Sequence, residues 1–352
     1  MRTWYFSYNL HNLYNLQNLH TKFLLLLVMF FLVSCDSSDS LHQHLQDYQQ
    51  RMANVLDVEN PGKLSISLPP YPSLRELKRD IPATTVQLFE FYKLQHCELY
   101  SLVAERNTSL GNLQLPSTRY IYESHLIDAL KQCLIDTTDT KIRAKLESWQ
   151  QAKTQQLPLV WADLIQLSSE LNQGFSANFG LIVGNQKDGL SQVKVALNYL
   201  IQIEQNRKID SAELEQNLRY LMNNPLPAKL WLSQLTLAKH LNQSTEWLLQ
   251  HTNNLQCSST GSKKKMEYLT NVFQRFFIEK IQPIASQINH YQYQLSPIFE
   301  NMLANPSLSP IFRDYINISN QQGFENYQAA MQQHIYFWQD LFKQCNIKPG
   351  KR

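Results

Sequence analysis

Hydrophobic residues recur along most of the chain at steps of three and four positions, the spacing that puts side chains on one face of an α-helix. The clearest stripe lies near the C-terminus and comprises Phe324, Tyr327, Met331, Ile335, Trp338, Phe342 and Cys345. A second stripe follows residues 266–288, where Pro283 should kink or break the helix because its ring clashes with the preceding turn. Both patterns predict helices that bury one face.

The same period predicts further helices near residues 39–56, 119–135, 140–152, 158–172, 190–206, 211–222, 228–253 and 309–318. Residues 86–104 are apolar on nearly all sides, which predicts a central buried helix. No stretch of useful length alternates apolar and polar positions as a half-buried strand does. The sequence therefore predicts an all-α fold, an irregular bundle of many helices.

Two segments interrupt this pattern. Residues 59–83 contain several prolines, which favour extended or polyproline backbone, so this segment is expected to run over the surface of the bundle. Gly180, Gly184 and Gly189 are expected to mark a turn between helices. The bundle could have a soft division near residues 174–188.

The N-terminal region carries an apolar run of eleven residues, Phe23–Val33. A membrane-spanning helix needs about 20 such residues, whereas the core of a secretory signal has about 7–15. Residues 1–22 include Arg2 and Lys22 but no acidic residue, as in the positive region of a signal. The run ends in Leu-Val-Ser-Cys at residues 32–35, which resembles the lipobox of bacterial lipoproteins.

This resemblance implies a cleaved signal peptide at 1–34, a lipid (palmitate) on Cys35 and a lipidated tether at 35–40. The helical pattern that follows predicts a single helical domain at 41–352. The alternative is an ordinary signal peptide in which Cys35 is incidental. Asp36 resembles the signal that retains lipoproteins in the inner membrane of enteric-like bacteria. The expected location is therefore the periplasmic face of the inner membrane, reached through the N-terminal lipid, with the outer membrane as the alternative.

Composition supports a packed domain and limits the partners. Charged residues make up 17% of the chain and apolar residues 43%, so a hydrophobic core is expected. The net charge of +3 is too small to indicate a nucleic-acid partner.

Four cysteines besides Cys35 suggest disulfides in an exported chain. Their positions favour the pairs Cys97–Cys133 and Cys257–Cys345, although four cysteines allow three connectivities. The alternative is that all four remain free thiols. Loops of these lengths would contribute roughly 3.5–4.7 kcal/mol each. No pair has CxxC spacing, so redox or zinc chemistry is not indicated.

Common catalytic signatures are missing: the sequence has no GxSxG elbow, HExxH helix or GxxxxGK[ST] loop. No metal or cofactor is expected. Polar side chains nevertheless gather where apolar helices end. A charge buried there must be paired or functional, so these residues are candidates for a site. Such residues form either a polar pocket or a structural ion-pair network, and the network is the favoured reading. They are Glu105, Arg106, Asn107, Arg119, Glu123 and His125.

Four blocks carry a family resemblance: "YPSLRELKRDIP", "FEFYKLQHCELYSLVAERNTSLG", "RYIYESHLIDALKQCL" and "NVFQRFFIEKIQP". They resemble a proteobacterial lipoprotein family catalogued as domain of unknown function 3080, over about residues 40–345. The resemblance agrees with the lipid anchor but implies no activity and maps no catalytic residue onto this chain.

Two functions remain open from sequence. The favoured one is a non-enzymatic lipoprotein that binds or scaffolds an envelope protein or glycan. The alternative is an envelope enzyme that acts on peptidoglycan or another glycan through Glu105 or Glu123.

Overall fold

Helices account for most of the chain that the structure describes. The computed structural model describes residues 41–108, 114–176, 180–184, 189–206, 209–253, 255, 257 and 259–347. The predicted signal peptide, Cys35 and Asp36 lie outside these residues.

The first helices are α1 (Leu41–Leu56), α2 (Leu74–Leu77), α3 (Leu88–Tyr92), α4 (Leu99–Arg106), α5 (Pro116–Asp136), α6 (Thr140–Leu167) and α7 (Ser169–Ser176). They are followed by α8 (Leu190–Asn206), α9 (Ser211–Asn223), α10 (Leu226–Thr252), α11 (Thr260–Val272), α12 (Gln282–Leu303), α13 (Pro310–Asn317) and α14 (Gly323–Gln344). The described residues contain no strand, and Cys97–Cys133 and Cys257–Cys345 are bonded. The all-α prediction and both disulfide pairings are confirmed.

The main hydrophobic core is built around the contact between α10 and α14, the most extensive helix–helix contact among the described residues. The contact between α5 and α6 is nearly as extensive. Its largest buried side chains include Trp161, Trp231 and Trp338. The core continues across the glycine-containing connection, since Phe175, Ile182 and Val193 all belong to it. Gly180 and Gly189 have positive φ, as expected for turn positions.

The proline-rich segment crosses the surface of the bundle as predicted, held by hydrogen bonds to its backbone. Trp247 Nε1 donates to the Glu59 carbonyl at 3.1 Å. Further along, the Arg79 amide donates to Asp163 Oδ1 at 2.8 Å. Burial raises the pKa of this Asp163 carboxyl above its ordinary value.

The prediction of separate helices at 140–152 and 158–172 is wrong, because α6 passes through Pro158 without a break and ends at Leu167. Proline inside a helix removes one backbone hydrogen bond and crowds the preceding turn. Here Leu157 and Trp161, on either side of Pro158, are both buried in the main core. Their burial offsets the local cost and keeps the helix continuous.

The prediction of one central buried helix at 86–104 is also wrong. This stretch forms two short helices, α3 and α4, separated by a turn. Leu88, Phe89 and Tyr92 on α3 are 69, 67 and 54% exposed. The stretch is apolar all round because Leu94 and Leu99 fill a second core while Leu88, Phe89 and Tyr92 face outward.

Pro283 perturbs its helix by widening it rather than breaking it. Residues Phe273–Ile281 form a π-helix that joins α11 to α12. The Gln282 amide donates to the Phe277 carbonyl, five residues earlier. This wider turn accommodates the Pro283 ring, which lies just inside the start of α12.

A buried polar network in the main core requires a neutral histidine. Nε2 of His334 lies 3.1 Å from Trp338 Nε1, which can only donate, so Nε2 must accept. Nδ1 therefore carries the proton and donates to Thr245 Oγ1 at 2.8 Å, while the Thr245 hydroxyl donates to the Leu241 carbonyl. Burial lowers the pKa of His334 to about 3. Burial and the neighbouring His42 lower the pKa of His240 to about 4.

These two histidines make the fold sensitive to mild acid. Below pH 6.5 the unfolded chain takes up protons on them that the folded chain does not, so stability falls as the pH falls. The expected loss is about 1 kcal/mol for each histidine at pH 5.5 relative to pH 7. We expect His334→Gln to remove its share of this pH dependence in urea unfolding. The exposed control His290→Gln should keep the full slope, and a wild-type slope in His334→Gln would refute the assignment.

Candidate ligand-binding cavity

A second, smaller hydrophobic core lies under α4, α5 and the first half of α6. Its buried members include Leu94, Leu99, Leu126, Leu130, Leu146 and Trp149. The Cys97–Cys133 disulfide ties the turn between α3 and α4 to α5. Because helices as short as α3 and α4 are marginal alone, this bond and the small core hold them in place.

A cavity of about 650 Å³ opens beside the small core. Apolar residues make up most of its lining, although polar atoms contribute about as much of the exposed wall as apolar atoms do. Among the described residues, its charged lining residues are three cations and one carboxylate: Arg106, Arg119, Lys153 and Glu123. The stretch 81–86 closes one side and is fixed to α6, since Gln156 Nε2 donates to the Pro82 carbonyl at 3.1 Å. Both the volume and the mixture of apolar walls with a few polar groups are typical of small-molecule sites.

Glu123 and Lys153 form an ion pair across the cavity wall. Lys153 Nζ lies 2.9 Å from Glu123 Oε2, and their side chains are only 13 and 7% exposed. A carboxylate this deeply buried requires a partner, because leaving it uncompensated is costly. The pair therefore satisfies itself and leaves the other two cations of the cavity without an acidic partner in the lining.

The two arginines carry buried donors that are not satisfied by the part of the chain that the structure describes. Arg106 Nη1 and Arg119 Nε are both buried and have no hydrogen-bond partner there. The Arg106 guanidinium carbon lies 5.9 Å from the centre of the Tyr122 ring. Burial, with the nearby carboxylates of Glu123 and Glu105, raises the pKa of Tyr122 to about 12, so its hydroxyl stays protonated. It donates to the Leu102 carbonyl at 3.3 Å.

The short helix α3 carries exposed apolar side chains next to the cavity, and this helix face is called the rim below. Leu88 lines the cavity while most of its surface faces solvent, and Phe89 and Tyr92 lie on the same short helix. Two ion pairs attach α3 and its C-terminal flank to α6 and its N-cap: Lys93–Asp139 at 2.7 Å and Glu90–Lys145 at 3.4 Å. The hydrogen bond from Lys93 lowers the pKa of Asp139 to about 2. The apolar rim is therefore held in place although it is exposed.

Four of the six residues predicted to form a polar pocket line this cavity: Arg106, Asn107, Arg119 and Glu123. Glu105 and His125 are exposed and do not line it. Helix geometry explains the difference, since His125 is two positions from Glu123 and points to another face of α5. Glu105 likewise lies one position before Arg106, so its side chain points to a different face of α4.

Lys153, Tyr122 and Trp149 also line the cavity, although their sequence positions did not predict it. A signal for Lys153 was present in the pattern of α6. Ile142, Leu146 and Trp149 form an apolar stripe, and Lys153 occupies its next position. A charged residue that continues an apolar stripe is expected to reach a buried partner or a cavity.

Other candidate sites are weaker. A cleft of about 630 Å³ between α8 and α9 includes one charge of each sign, Lys194 and Glu213, so it has no net preference for an ion. Among the described residues, the group of possible metal ligands is His96, Cys97 and Cys133, whose two sulfurs are bonded to each other. Within the same residues, no helix combines the length and apolarity needed to cross a bilayer.

The fold and the cavity together define a disulfide-bonded, all-helical protein with a ligand-sized cavity in a subsidiary core. The chain belongs to the DUF3080 family, described as a protein of unknown function, whose model matches residues 45–349. No curated protein and no solved structure matches the chain.

Proposed function

We propose that this protein is a binding protein of the cell envelope and that its binding site is the cavity beside the small core. One observation carries this proposal: the cavity contains two arginines whose buried N–H groups have no partner among the described residues. An unsatisfied buried donor costs free energy, typically about 1–3 kcal/mol. A ligand that accepts these hydrogen bonds would recover that cost.

Binding suits the cavity better than glycan hydrolysis does. Glycosidases use two carboxyl groups that face each other across the scissile bond. Among the described residues that line the cavity, Glu123 is the one carboxylate and is already paired with Lys153, whereas Glu105 is exposed outside the lining. The geometry therefore offers no acid–base pair built from the two carboxylates that the sequence singled out.

Filling the cavity should displace whatever the protein carries. Val103 lines the cavity, and Val103→Trp is expected to occupy part of its volume. Mass spectrometry of organic extracts from the purified full-length protein should show a molecule that accompanies the wild type and is depleted in Val103→Trp. The matched control is Val195→Trp in the α8–α9 cleft, which should keep the molecule. Extracts that do not differ between the two variants would contradict the proposal.

The proposal includes a lipid anchor at Cys35 that holds the protein at the periplasmic face of the inner membrane, with the outer membrane as the alternative. The apolar run at 23–33 and the Leu-Val-Ser-Cys box support it. Two disulfides in the helical body suit an oxidising compartment such as the periplasm. Acyl chains on Cys35 would make the anchor firm, since two chains already hold a protein stably on a membrane.

Cys35→Ala is expected to abolish labelling by radioactive palmitate in cells, because it removes the acylated sulfur. Asp36→Ser should leave labelling intact and move the protein toward the outer-membrane fraction. Palmitate labelling that survives Cys35→Ala would refute the anchor, and an unchanged fractionation of Asp36→Ser would refute the sorting role of Asp36.

A further inference from the structure

We infer that the cavity takes an amphipathic anion, an acyl chain that ends in a carboxylate or phosphate group. This inference rests on the proposed binding function and specifies the chemical class of its ligand. It depends on three features of the described residues: the apolar depth of the cavity, the excess of cations in its lining, and the exposed apolar rim on α3.

The apolar depth suits a hydrocarbon chain. Leu94, Leu99, Leu126 and Leu130 belong both to the small core and to the cavity lining. An acyl chain placed against them would be removed from water, the main driving force for apolar association. A hydroxyl group placed against these four leucines would have no hydrogen-bond partner on them, which is unfavourable.

The charges select an anionic head. Lys153 and Glu123 neutralise each other, so Arg106 and Arg119 give the lining its excess positive charge. Arginine presents several N–H donors that bind carboxylate or phosphate oxygens in charge-assisted hydrogen bonds. Asp163 lies close enough to Arg119 to interact with it electrostatically, but it is outside the lining and accepts a hydrogen bond from the Arg79 amide. Among the described residues, the unused donors of both arginines thus have no partner and are available to a ligand.

The exposed rim provides an entrance suited to a lipid. Leu88, Phe89 and Tyr92 present apolar surface beside the opening, and Lys93 lies 4.7 Å from the centre of the Phe89 ring. Aromatic side chains next to a lysine are typical of surfaces that rest at the boundary between a membrane and water. An acyl chain could pass along these side chains into the cavity with little exposure to water.

Photocrosslinking tests the inference on the full-length protein in dodecyl maltoside, a neutral detergent. The probe is dodecanoic acid with a diazirine on its chain, and the comparison probe is the matching alcohol. Crosslinks from the acid are expected in peptides that cover residues 81–106 and 119–153. Arg106→Gln combined with Arg119→Gln should reduce capture of the acid by about tenfold or more, a factor that corresponds to about 1.4 kcal/mol. Capture of the alcohol should stay the same.

The outcomes separate this inference from the function on which it rests. Capture of the acid and the alcohol to the same extent, unaffected by the double variant, would overturn the preference for an anion and leave a binding cavity. Failure of both probes to label the cavity peptides would overturn the binding function as well. Lys194→Gln, which removes a cation from the α8–α9 cleft, is the matched control and should capture the acid like the wild type.

Competition then distinguishes the two sources of such a ligand. Unlabelled dodecanoate represents a free fatty acid, and phosphatidylglycerol represents an anionic membrane lipid. The competitor that displaces the probe at the lower concentration identifies the source. Equal displacement by dodecyltrimethylammonium, which has the same chain and the opposite charge, would contradict the inference.

Discussion

Replacement of Cys97 and Cys133 by serine is expected to abolish capture of the photoactivatable dodecanoate and to lower the free energy of unfolding by about 3.8 kcal/mol. The stability estimate follows from the 36-residue separation that this disulfide closes. Binding should be lost because α3 and α4 are too short to hold their positions alone. Without the disulfide, the rim and one wall of the cavity would separate from α5. Urea unfolding measures the stability, and crosslinking measures the binding.

The second disulfide is a matched control. Cys257–Cys345 closes 88 residues, so its removal should cost more, about 4.6 kcal/mol. Neither cysteine lines the small-core cavity, and capture of the probe by the folded protein should persist. The account would be contradicted if the Cys257/Cys345 variant lost binding while the Cys97/Cys133 variant kept it.

Lys153→Met is expected to destabilise the protein by about 3 kcal/mol, because it leaves Glu123 buried without a counter-charge. Nζ of Lys153 is 2.9 Å from Glu123, whose side chain is only 7% exposed. Methionine retains most of the unbranched side chain, so the substitution removes the charge with little loss of packing. Chemical unfolding at pH 7 provides the measurement.

The double variant Lys153→Met with Glu123→Gln removes both charges and should recover most of the lost stability. This result would show that the cost comes from the unpaired carboxylate rather than from the altered side-chain shape. If the double variant were as unstable as Lys153→Met, or the single variant as stable as the wild type, the buried pair would not have the role assigned to it.

The helical fold could be predicted from sequence because its main signal, the three- and four-residue period, is local. The pairing Cys97–Cys133 and Cys257–Cys345 also followed from position along the chain. Interruptions were harder to predict. Pro158 has the chemistry of a helix breaker, yet burial of its neighbours keeps α6 continuous. Whether tertiary packing overrides a local preference depends on contacts that the sequence does not display.

The candidate site was predicted only in part, because local sequence signals mark some of its residues while tertiary contacts determine the others. Arg106 and Glu123 could be singled out because charges at the edge of apolar helices need partners. Which of several neighbouring charges face inward depends on the rotation of each helix, and this rotation separates Glu123 from His125. The partner of Glu123 came from α6, thirty residues along the chain. The exposed apolar face of α3 could not be distinguished from a buried face by composition.

The most direct test of the central claim is amide hydrogen exchange of the full-length protein, with and without dodecanoate. Slower exchange is expected in residues 86–106 and 119–130, the segments that bring α3, α4 and α5 around the cavity. Unchanged exchange in those segments, or slowing confined to residues 190–217 at the α8–α9 cleft, would contradict it.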